Sequence, residues 1–195
     1  SSEKGSVIYE GIDDKFFEEK RQVNEMEVLT KYGLAGKDYL FYMGNSYPHK
    51  NLQIVLKALV DVNDKKNKKC LFVIAGSRDV FMNKLENNVK ENEAENLVKL
   101  IGFISEQDSR VLYKNSAGFI YPSVSEGFGL QGLEAIASGT ILLASNIPVF
   151  REIYESHAFY FNPHDMASIS STIYSVLTLN NIDKHKYLDT AQEFI

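Results

Sequence analysis

Short apolar runs alternate with segments of helical periodicity along most of the chain, and this alternation constrains the fold more than any other feature. Within each run the apolar residues are continuous, which is typical of parallel strands that are buried on both faces. Successive runs begin 17–31 residues apart, enough for a right-handed crossover through a helix. The sequence therefore predicts an α/β, Rossmann-like, doubly wound parallel sheet of about six strands with helices on both faces. The predicted strands are residues 39–43, 70–75, 97–101, 117–121, 141–144 and 158–161.

Helical periods fill the intervals between the predicted strands. The clearest period follows Asn51, which we expect to be an N-cap, and has apolar residues at positions 52, 55, 56, 59 and 60. The other predicted helices are residues 13–32, 80–90, 107–115, 130–138, 149–154, 166–179 and 183–195, and a short apolar segment at 7–9 precedes the first. Because ligands bind at the carboxyl ends of the strands in such sheets, we expect the site in the loops that follow the strands.

Composition and charge argue against several other classes of protein. The chain carries 21 Lys+Arg against 26 Asp+Glu, a net charge of −5, whereas a general nucleic-acid binder would show a basic face. Cys70 is the only cysteine, so we expect neither a disulfide framework nor a cysteine-based metal site, as in a reducing compartment. No apolar run approaches the ~20 residues that cross a bilayer, and no secretion signal is visible. The chain begins without Met and ends within a helical pattern, so we expect it to be a piece of a longer protein.

The segment 121–134 follows a predicted strand and opens a predicted helix. Its glycines at 127 and 129 let the backbone approach a ligand, and the free N–H groups of the helix start attract an anion such as phosphate. Glu134 is the only charged residue from position 127 to position 150. A carboxylate in so apolar a helix is costly unless something satisfies it, as the two hydroxyl groups of a ribose would. The alternatives are that Glu134 accepts from a backbone group or pairs with a lysine from elsewhere.

Two further residues, Glu126 and Lys50, are candidate ligand contacts. Glu126 lies in the loop itself, either as an acceptor for sugar hydroxyls or as an ordinary solvent-exposed acid. Lys50, in the loop 44–51, is unfavourable at a helix start because of the positive end of the helix dipole, unless a diphosphate occupies the site. The alternative for Lys50 is a flexible surface side chain.

Two more loops are weaker candidates. Gly76 opens the loop 76–79, whose Arg78 either reaches a phosphate or lies on the surface. Phe103, in the loop 102–104, offers an aromatic face to a nucleobase or belongs to the core. The four histidines have no ligand-like spacing with each other or with Cys70, so we expect no metal site. The glycine patterns of nicotinamide, P-loop and α/β-hydrolase sites are absent from the sequence.

Taken together, the chain resembles the C-terminal, donor-binding domain of the GT-B-fold retaining glycosyltransferases of family four. The resemblance covers nearly the whole sequence. Its most specific part is the E-x₇-E arrangement of Glu126 and Glu134 within P-S-x-x-E-G-F-G-L-x-x-L-E-A. The segments that carry it are VIYEGIDDKFF, YMGNSYPHKNL, FVIAG, VKLIGFIS, FIYPSVSEGFGLQGLEAIASGTILLASNIPVFREI and AFYFNPHD.

The resemblance implies roles for individual residues. Lys50 would bind the diphosphate of a nucleoside-diphosphate sugar, Glu134 its ribose, and Glu126 would lie near the donor sugar. Lys50 and Glu126 are the expected catalytic residues. The donor is a substrate, and the resemblance implies neither a metal nor another cofactor. Asn45 stands where many members have an arginine, and Arg78 replaces a glycine. The other expected substrate-binding residues are Asn45, Gly76, Phe103, Ile104, Gly127, Phe128, Gly129 and Leu130.

The resemblance also implies a function for the longer protein. Residues 1–195 would form one donor-binding domain, inactive alone, without the N-terminal acceptor-binding domain of family members. The enzyme would move a hexose from a UDP- or GDP-sugar to a glycan or lipid-linked acceptor with retention, in polysaccharide biosynthesis. We expect it in the cytoplasm, with peripheral contact to the inner face of the membrane as an option. Two alternatives stay open: a non-catalytic scaffold module of this fold, and a nucleotide-sugar 2-epimerase.

Overall fold

Six parallel strands form a single sheet in the computed structural model, which describes residue 11, residues 23–65 and residues 68–195. The strand order is β3-β2-β1-β4-β5-β6, and each recorded pairing of neighbours is parallel. The sheet confirms the predicted doubly wound architecture, and each strand boundary lies within one residue of its prediction. The strands are β1 (Tyr39–Met43), β2 (Leu71–Ala75), β3 (Val98–Gly102), β4 (Gly118–Tyr121), β5 (Leu142–Ser145) and β6 (Phe159–Phe161).

Helices cover both faces of this sheet. They are α1 (Glu25–Lys31), α2 (Leu52–Lys65), α3 (Val80–Glu91), α4 (Glu106–Lys114), α5 (Leu130–Ala137), α6 (Pro148–Tyr154), α7 (Met166–Leu177) and α8 (Asn181–Phe194). One apolar core lies between the sheet and α2, α3 and α7. The second lies between the sheet and α1, α4, α5, α6 and α8. Since both faces are covered, the strands read in sequence as continuous apolar runs.

Two local predictions are wrong. The helix predicted over residues 13–32 is not continuous, because Asn24 is extended and its side chain accepts from the Glu27 amide, so α1 begins at Glu25. Asn51 is not an N-cap: its backbone is left-handed, with φ 59°, and its side chain donates instead to the carbonyls of Pro122 and Pro163. A 3-10 turn precedes α2, and asparagine tolerates the reversal between turn and helix. The segment 7–9 and residues 13–22 lie outside the described residues.

The order of the strands places a crevice between β1 and β4. The chain winds outward from β1 to β2 and β3, and then outward from β4 in the other direction. The loops that follow β1 and β4 therefore diverge at the carboxyl edge of the sheet, where ligands bind in open α/β sheets. In the described part of the chain, no helix has the length and apolarity needed to span a membrane.

Candidate functional site

An ion pair joins the two loops that diverge at this crevice. The Lys50 ammonium donates to Glu126 Oε1 at 2.5 Å, with Lys50 in the loop after β1 and Glu126 in the loop after β4. The two side chains are only 11% and 12% exposed. The alternatives of a flexible surface lysine and a solvent-exposed loop acid are therefore wrong. Charges so shielded interact more strongly than surface pairs, and each depends on the other for its solvation.

Main-chain and amide hydrogen bonds hold these two loops together. Lys50 ends the 3-10 turn Pro48–Lys50, and the Val124 amide donates to the His49 carbonyl at 2.9 Å. Asn51 donates to the Pro122 carbonyl at 3.2 Å, which fixes the start of the second loop. The position of the ion pair is thus set by the backbone of both loops.

Tyr121, the last residue of β4, lies among the charged groups of the site. Its ring centroid is 5.8 Å from the Lys50 ammonium nitrogen. Burial raises the pKa of its phenol, and the charges of Glu126 and Glu134 raise that pKa further. Glu126 lies in the loop that follows Tyr121, and Glu134 lies in the helix that this loop opens, so both carboxylates belong to one strand–loop–helix unit.

The N-terminus of α5 packs against Tyr154 and has no capping side chain in the described part of the chain. Its N-cap residue, Gly129, is left-handed with φ 103°. The Tyr154 hydroxyl donates to the Gly129 carbonyl, and a Cβ on Gly129 or Gly132 would lie within 2.5 Å of that hydroxyl. Glycine is thus required at both positions, and no side chain of the described residues takes the place that an anion could occupy at this helix start.

Glu134 lies in the second turn of α5, half-buried. Its Oε2 atom is buried and makes no hydrogen bond within the described residues. Among those residues no lysine or arginine pairs with it, so the alternative of a lysine partner from the described chain is wrong. Burial raises the pKa of Glu134, the Tyr113 hydroxyl lowers it, and Glu106 raises it, with a net increase. The carboxylate is therefore short of partners where the ribose was predicted.

The weaker candidates lie around the same edge. The Asn45 carbonyl accepts from the Tyr42 hydroxyl at 2.7 Å, and Phe128 is half-buried against the core beneath α5. Phe103 is 89% exposed beyond β3, while the next residue, Ile104, is buried, so the alternative of a core Phe103 is wrong. Gly127 has open space where a Cβ would be.

Gly76 has a packing role that its prediction did not include. Its amide donates to the Gly102 carbonyl at 2.9 Å, and a Cβ there would lie 2.0 Å from the Gly44 carbonyl oxygen. The loops after three neighbouring strands pack through this glycine. Arg78, two residues later, is exposed.

The sequence comparison decides the family. Residues 27–193 match the profile described as Glycosyl transferases group 1. This chain belongs to the group 1 glycosyltransferases.

Relatives of this group 1 chain include enzymes of surface-glycan and glycolipid synthesis. An O-antigen chain mannosyltransferase, RfbU of Salmonella typhimurium, is 32% identical over 175 residues, covering 90% of this chain and 45% of that protein. An alpha-monoglucosyldiacylglycerol synthase of Streptococcus pneumoniae is 33% identical over 167 residues, covering 83% of this chain and 37% of that protein. The crystal structure of Anabaena HepE in complex with UDP and glucose matches with a TM-score of 0.82 at 19% identity, covering 97% of this chain and 51% of that chain.

These comparisons confirm the family resemblance and the GT-B-type fold. The chain spans about half the length, or less, of the relatives it matches. The roles of individual residues in this group 1 domain stay predictions, and so does the absence of a metal. Within residues 23–65 and 68–195 there is no group of three His, Cys, Asp or Glu side chains placed to hold a metal ion.

Three tyrosines of the group 1 domain escaped the sequence analysis. The ring of Tyr121 lies 5.8 Å from the Lys50 ammonium nitrogen, Tyr154 fixes the N-terminus of α5, and the Tyr113 hydroxyl lowers the pKa of Glu134. All three are buried, and each stands beside apolar residues in a predicted strand or helix, so nothing in the sequence separated them from the core. Only Tyr121 carried a signal, because it is the last residue of a strand and the site was expected at strand ends.

Proposed function

We propose that this domain binds the nucleoside-diphosphate-sugar donor of a hexosyltransferase that retains anomeric configuration. The observation that carries the proposal is the shielded Lys50–Glu126 pair at the β1/β4 crevice, beside the uncapped start of α5. An ammonium and open helix amides suit a diphosphate, and carboxylates suit sugar hydroxyls. Both chemistries meet within one short edge of the sheet.

The names of the relatives support the donor class and the acceptor class. The Anabaena HepE structure holds UDP and glucose, and two of the relatives are O-antigen mannosyltransferases. The pneumococcal relative makes a glycolipid. These names are consistent with a UDP- or GDP-hexose donor and with a glycan or lipid-linked acceptor, and the O-antigen relatives favour polysaccharide biosynthesis. An enzyme with such an acceptor would work in the cytoplasm, at or near the inner face of the membrane.

Donor binding would exchange the partner of Lys50. Without ligand, the ammonium and the Glu126 carboxylate neutralise each other. A diphosphate carries more negative charge than one carboxylate and accepts several hydrogen bonds, so it competes for the ammonium. Glu126 would then turn to the hydroxyl groups of the donor sugar, while Glu134 accepts from the ribose.

Catalysis would depend on stabilising the leaving group. As the glycosidic bond breaks, negative charge grows on the nucleoside diphosphate, and groups held in place for that charge lower the barrier. Lys50 and the first-turn amides of α5 would stabilise this charge without a metal ion. The acceptor hydroxyl would attack the oxocarbenium-like sugar on the face that the diphosphate leaves and would give its proton to the departing diphosphate. We assign no protein nucleophile.

A calorimetric panel tests the donor class directly. UDP, GDP, UDP-glucose and GDP-mannose are titrated into the domain, with ATP as a control nucleotide. We expect measurable binding of one diphosphate series and at least tenfold weaker binding of the other nucleotides. A correctly folded domain that binds none of them would overturn the proposal and would favour the scaffold alternative. An assay of the longer protein for sugar transfer and for epimerisation distinguishes the proposed transferase from a nucleotide-sugar 2-epimerase.

A further inference from the structure

The side chain of Asn51 joins three loops at the carboxyl edge of the sheet. Asn51 directly follows Lys50 in the loop after β1. Its side-chain amide donates to the Pro122 carbonyl at 3.2 Å and to the Pro163 carbonyl at 2.8 Å. Pro122 begins the loop after β4, and Pro163 lies in the loop after β6. Both N–H groups of one amide are therefore bound to the main chain of two other loops.

The backbone of Asn51 has a conformation that few side chains tolerate. Its φ is 59°, and the other described residues with a positive φ, apart from glycines, are Glu93 and Glu155. Those two follow the helices α3 and α6, whereas Asn51 reverses the chain between the 3-10 turn and α2. Asparagine is one of the residues that adopt this conformation. Glycine would suit the backbone equally well, but it could not make the two hydrogen bonds.

These hydrogen bonds hold the main chain from which the Lys50 side chain extends. The Asn51 backbone amide donates to the Pro48 carbonyl at 3.1 Å and closes the turn that ends at Lys50. Lys50 pairs with Glu126 across the crevice, and Glu126 lies in the loop that begins at Pro122. The loops that carry the two charges are thus joined through one amide, while the ammonium can still exchange Glu126 for another anion.

The loop after β6 is connected to the site through the same amide. β6 is an edge strand, and β5 separates it from β4, so its loop does not border the β1/β4 crevice. Asn51 precedes α2 and Pro163 precedes α7, and these two helices pack against each other. The hydrogen bond to Pro163 extends this packing beyond the helix starts. It therefore ties the residue beside Lys50 to the far side of the sheet.

We propose that Asn51 is a positioning residue for Lys50, which holds the ammonium where it binds the diphosphate of a nucleotide. This inference rests on the proposed function. Without the two hydrogen bonds, the turn that carries Lys50 would be free to shift against the loops after β4 and β6. Diphosphate binding would then have to restore its position, which weakens the affinity. Both N–H groups of the amide are already used, so Asn51 acts on the diphosphate through Lys50.

The test compares Asn51→Gly with Asn63→Ala. Glycine keeps the left-handed backbone at position 51 and removes the two side-chain hydrogen bonds. Asn63 also donates its amide to two carbonyls, those of Leu59 at 2.9 Å and Cys70 at 3.1 Å, but it lies near the other end of α2. Affinities for UDP, GDP, uridine and guanosine are measured by ¹⁵N NMR titration. Thermal unfolding of each variant is followed in parallel.

Asn51→Gly should lower the affinity for the diphosphate that binds three- to tenfold and change the affinity for its nucleoside less than twofold. The loss is confined to the diphosphate because that is the group that Lys50 is proposed to bind. In a Lys50→Met background, Asn51→Gly should cause no further loss of diphosphate affinity. Asn63→Ala should lower the unfolding temperature and leave both affinities unchanged.

A measurement on the unaltered protein completes the test. The side-chain amide hydrogens of Asn51 should exchange with water more slowly than those of the exposed Asn87, and they should stay slow when UDP or GDP is bound. Loss of this protection on binding would overturn the inference. So would equal losses of nucleotide and nucleoside affinity in Asn51→Gly, or an unchanged diphosphate affinity, and the proposed function would still stand. A wild type that binds no nucleotide would overturn both.

Discussion

The charges of the Lys50 and Glu126 side chains depend on each other. Both are largely shielded from water, so each is tolerable as a charge only because the other is present. A loop that carried such a pair for stability alone would gain little, since well-packed apolar residues do as well or better. A pair placed at a ligand crevice instead keeps an ammonium ready for a stronger anion.

Lys50→Met tests the ammonium. We expect affinity for UDP or GDP to fall at least tenfold, whereas affinity for the uncharged nucleoside should hardly change, because only the diphosphate contact is lost. The protein should also lose about 1–3 kcal/mol of unfolding free energy, less than a fully buried pair would cost. Calorimetry and urea unfolding measure the two effects.

Lys114→Met is the matched control. Lys114 pairs with Glu25 at 2.7 Å, but its side chain is 63% exposed and lies away from the crevice. Its removal should leave nucleotide affinity unchanged and stability within about 0.5 kcal/mol. Equal losses of affinity in both variants would show that Lys50 has no particular role.

Glu134→Gln makes the cost of the buried carboxylate measurable. The folded pKa of Glu134 is raised, so the folded protein holds this proton more firmly than the unfolded chain. Stability of the wild type therefore falls, relative to Glu134→Gln, as the pH rises from below about 4 toward 7. Urea unfolding across this range should show the variant at least as stable at pH 7. A variant that is less stable at pH 7 would mean that the carboxylate already has its partners in the folded protein.

At the scale of single residues, the sequence revealed charged site residues but not the surroundings of buried tyrosines. Lys50 and Glu134 were identified because a charge stood at a helix start or within an apolar helix that did not suit it, and Glu126 because of the E-x₇-E resemblance. Tyr113 could not be identified, because a tyrosine in an amphipathic helix looks the same whether its hydroxyl faces solvent, backbone or a carboxylate. That distinction depends on how α4 and α5 pack on the sheet.

The α5 helix shows how an element can be built around a side chain from elsewhere. Tyr154, from α6, lies against Gly129 and Gly132, and its hydroxyl donates to the Gly129 carbonyl. The start of α5 is thereby held in place without a capping side chain. The Gly132 amide donates to the Gly129 carbonyl, and the uncapped helix start suits an anionic ligand.

Gly132→Ala should disturb this arrangement. A Cβ at Gly132 would lie 2.4 Å from Tyr154, whereas one at Gly127 would meet nothing within 4 Å. We expect Gly132→Ala to cost about 1–3 kcal/mol through overpacking and to weaken diphosphate binding, because the start of α5 must shift. Gly127→Ala, the control, should be nearly neutral in stability. Urea unfolding measures the stability of both variants. A Gly132→Ala variant as stable as the wild type would contradict the close packing of Tyr154 against α5.

Strands and helices were predicted correctly where a long apolar pattern defined them. Helix starts were predicted wrongly where one side chain fixes the local backbone. All six strands follow from continuous apolar runs, since burial on both faces leaves a strong pattern. The mistakes concern Asn24 and Asn51, two asparagines whose side-chain partners were not visible. Asn24 caps a helix that the periodicity alone would have extended, and Asn51 bonds to carbonyls from distant loops.

On the scale of the whole molecule, the strand order explains why residues 76 positions apart meet. Lys50 and Glu126 follow β1 and β4, which are neighbours in the sheet although β2 and β3 separate them in sequence. The alternating pattern predicted the parallel sheet but not this order, because several orders satisfy the same pattern of helices and strands. The direct contact between the two charges was therefore not predicted, and the family resemblance implied only that both lie around one donor.

The most direct test of the account is a map of where a nucleotide binds. Backbone amide resonances of the domain are followed by ¹⁵N NMR during titration with UDP and GDP. We predict that the nucleotide that binds will shift residues 44–51, 102–104 and 122–134, and that Lys50→Met will weaken these shifts. Binding with shifts confined to other surfaces, such as α8, would contradict the placement of the donor at the β1/β4 crevice.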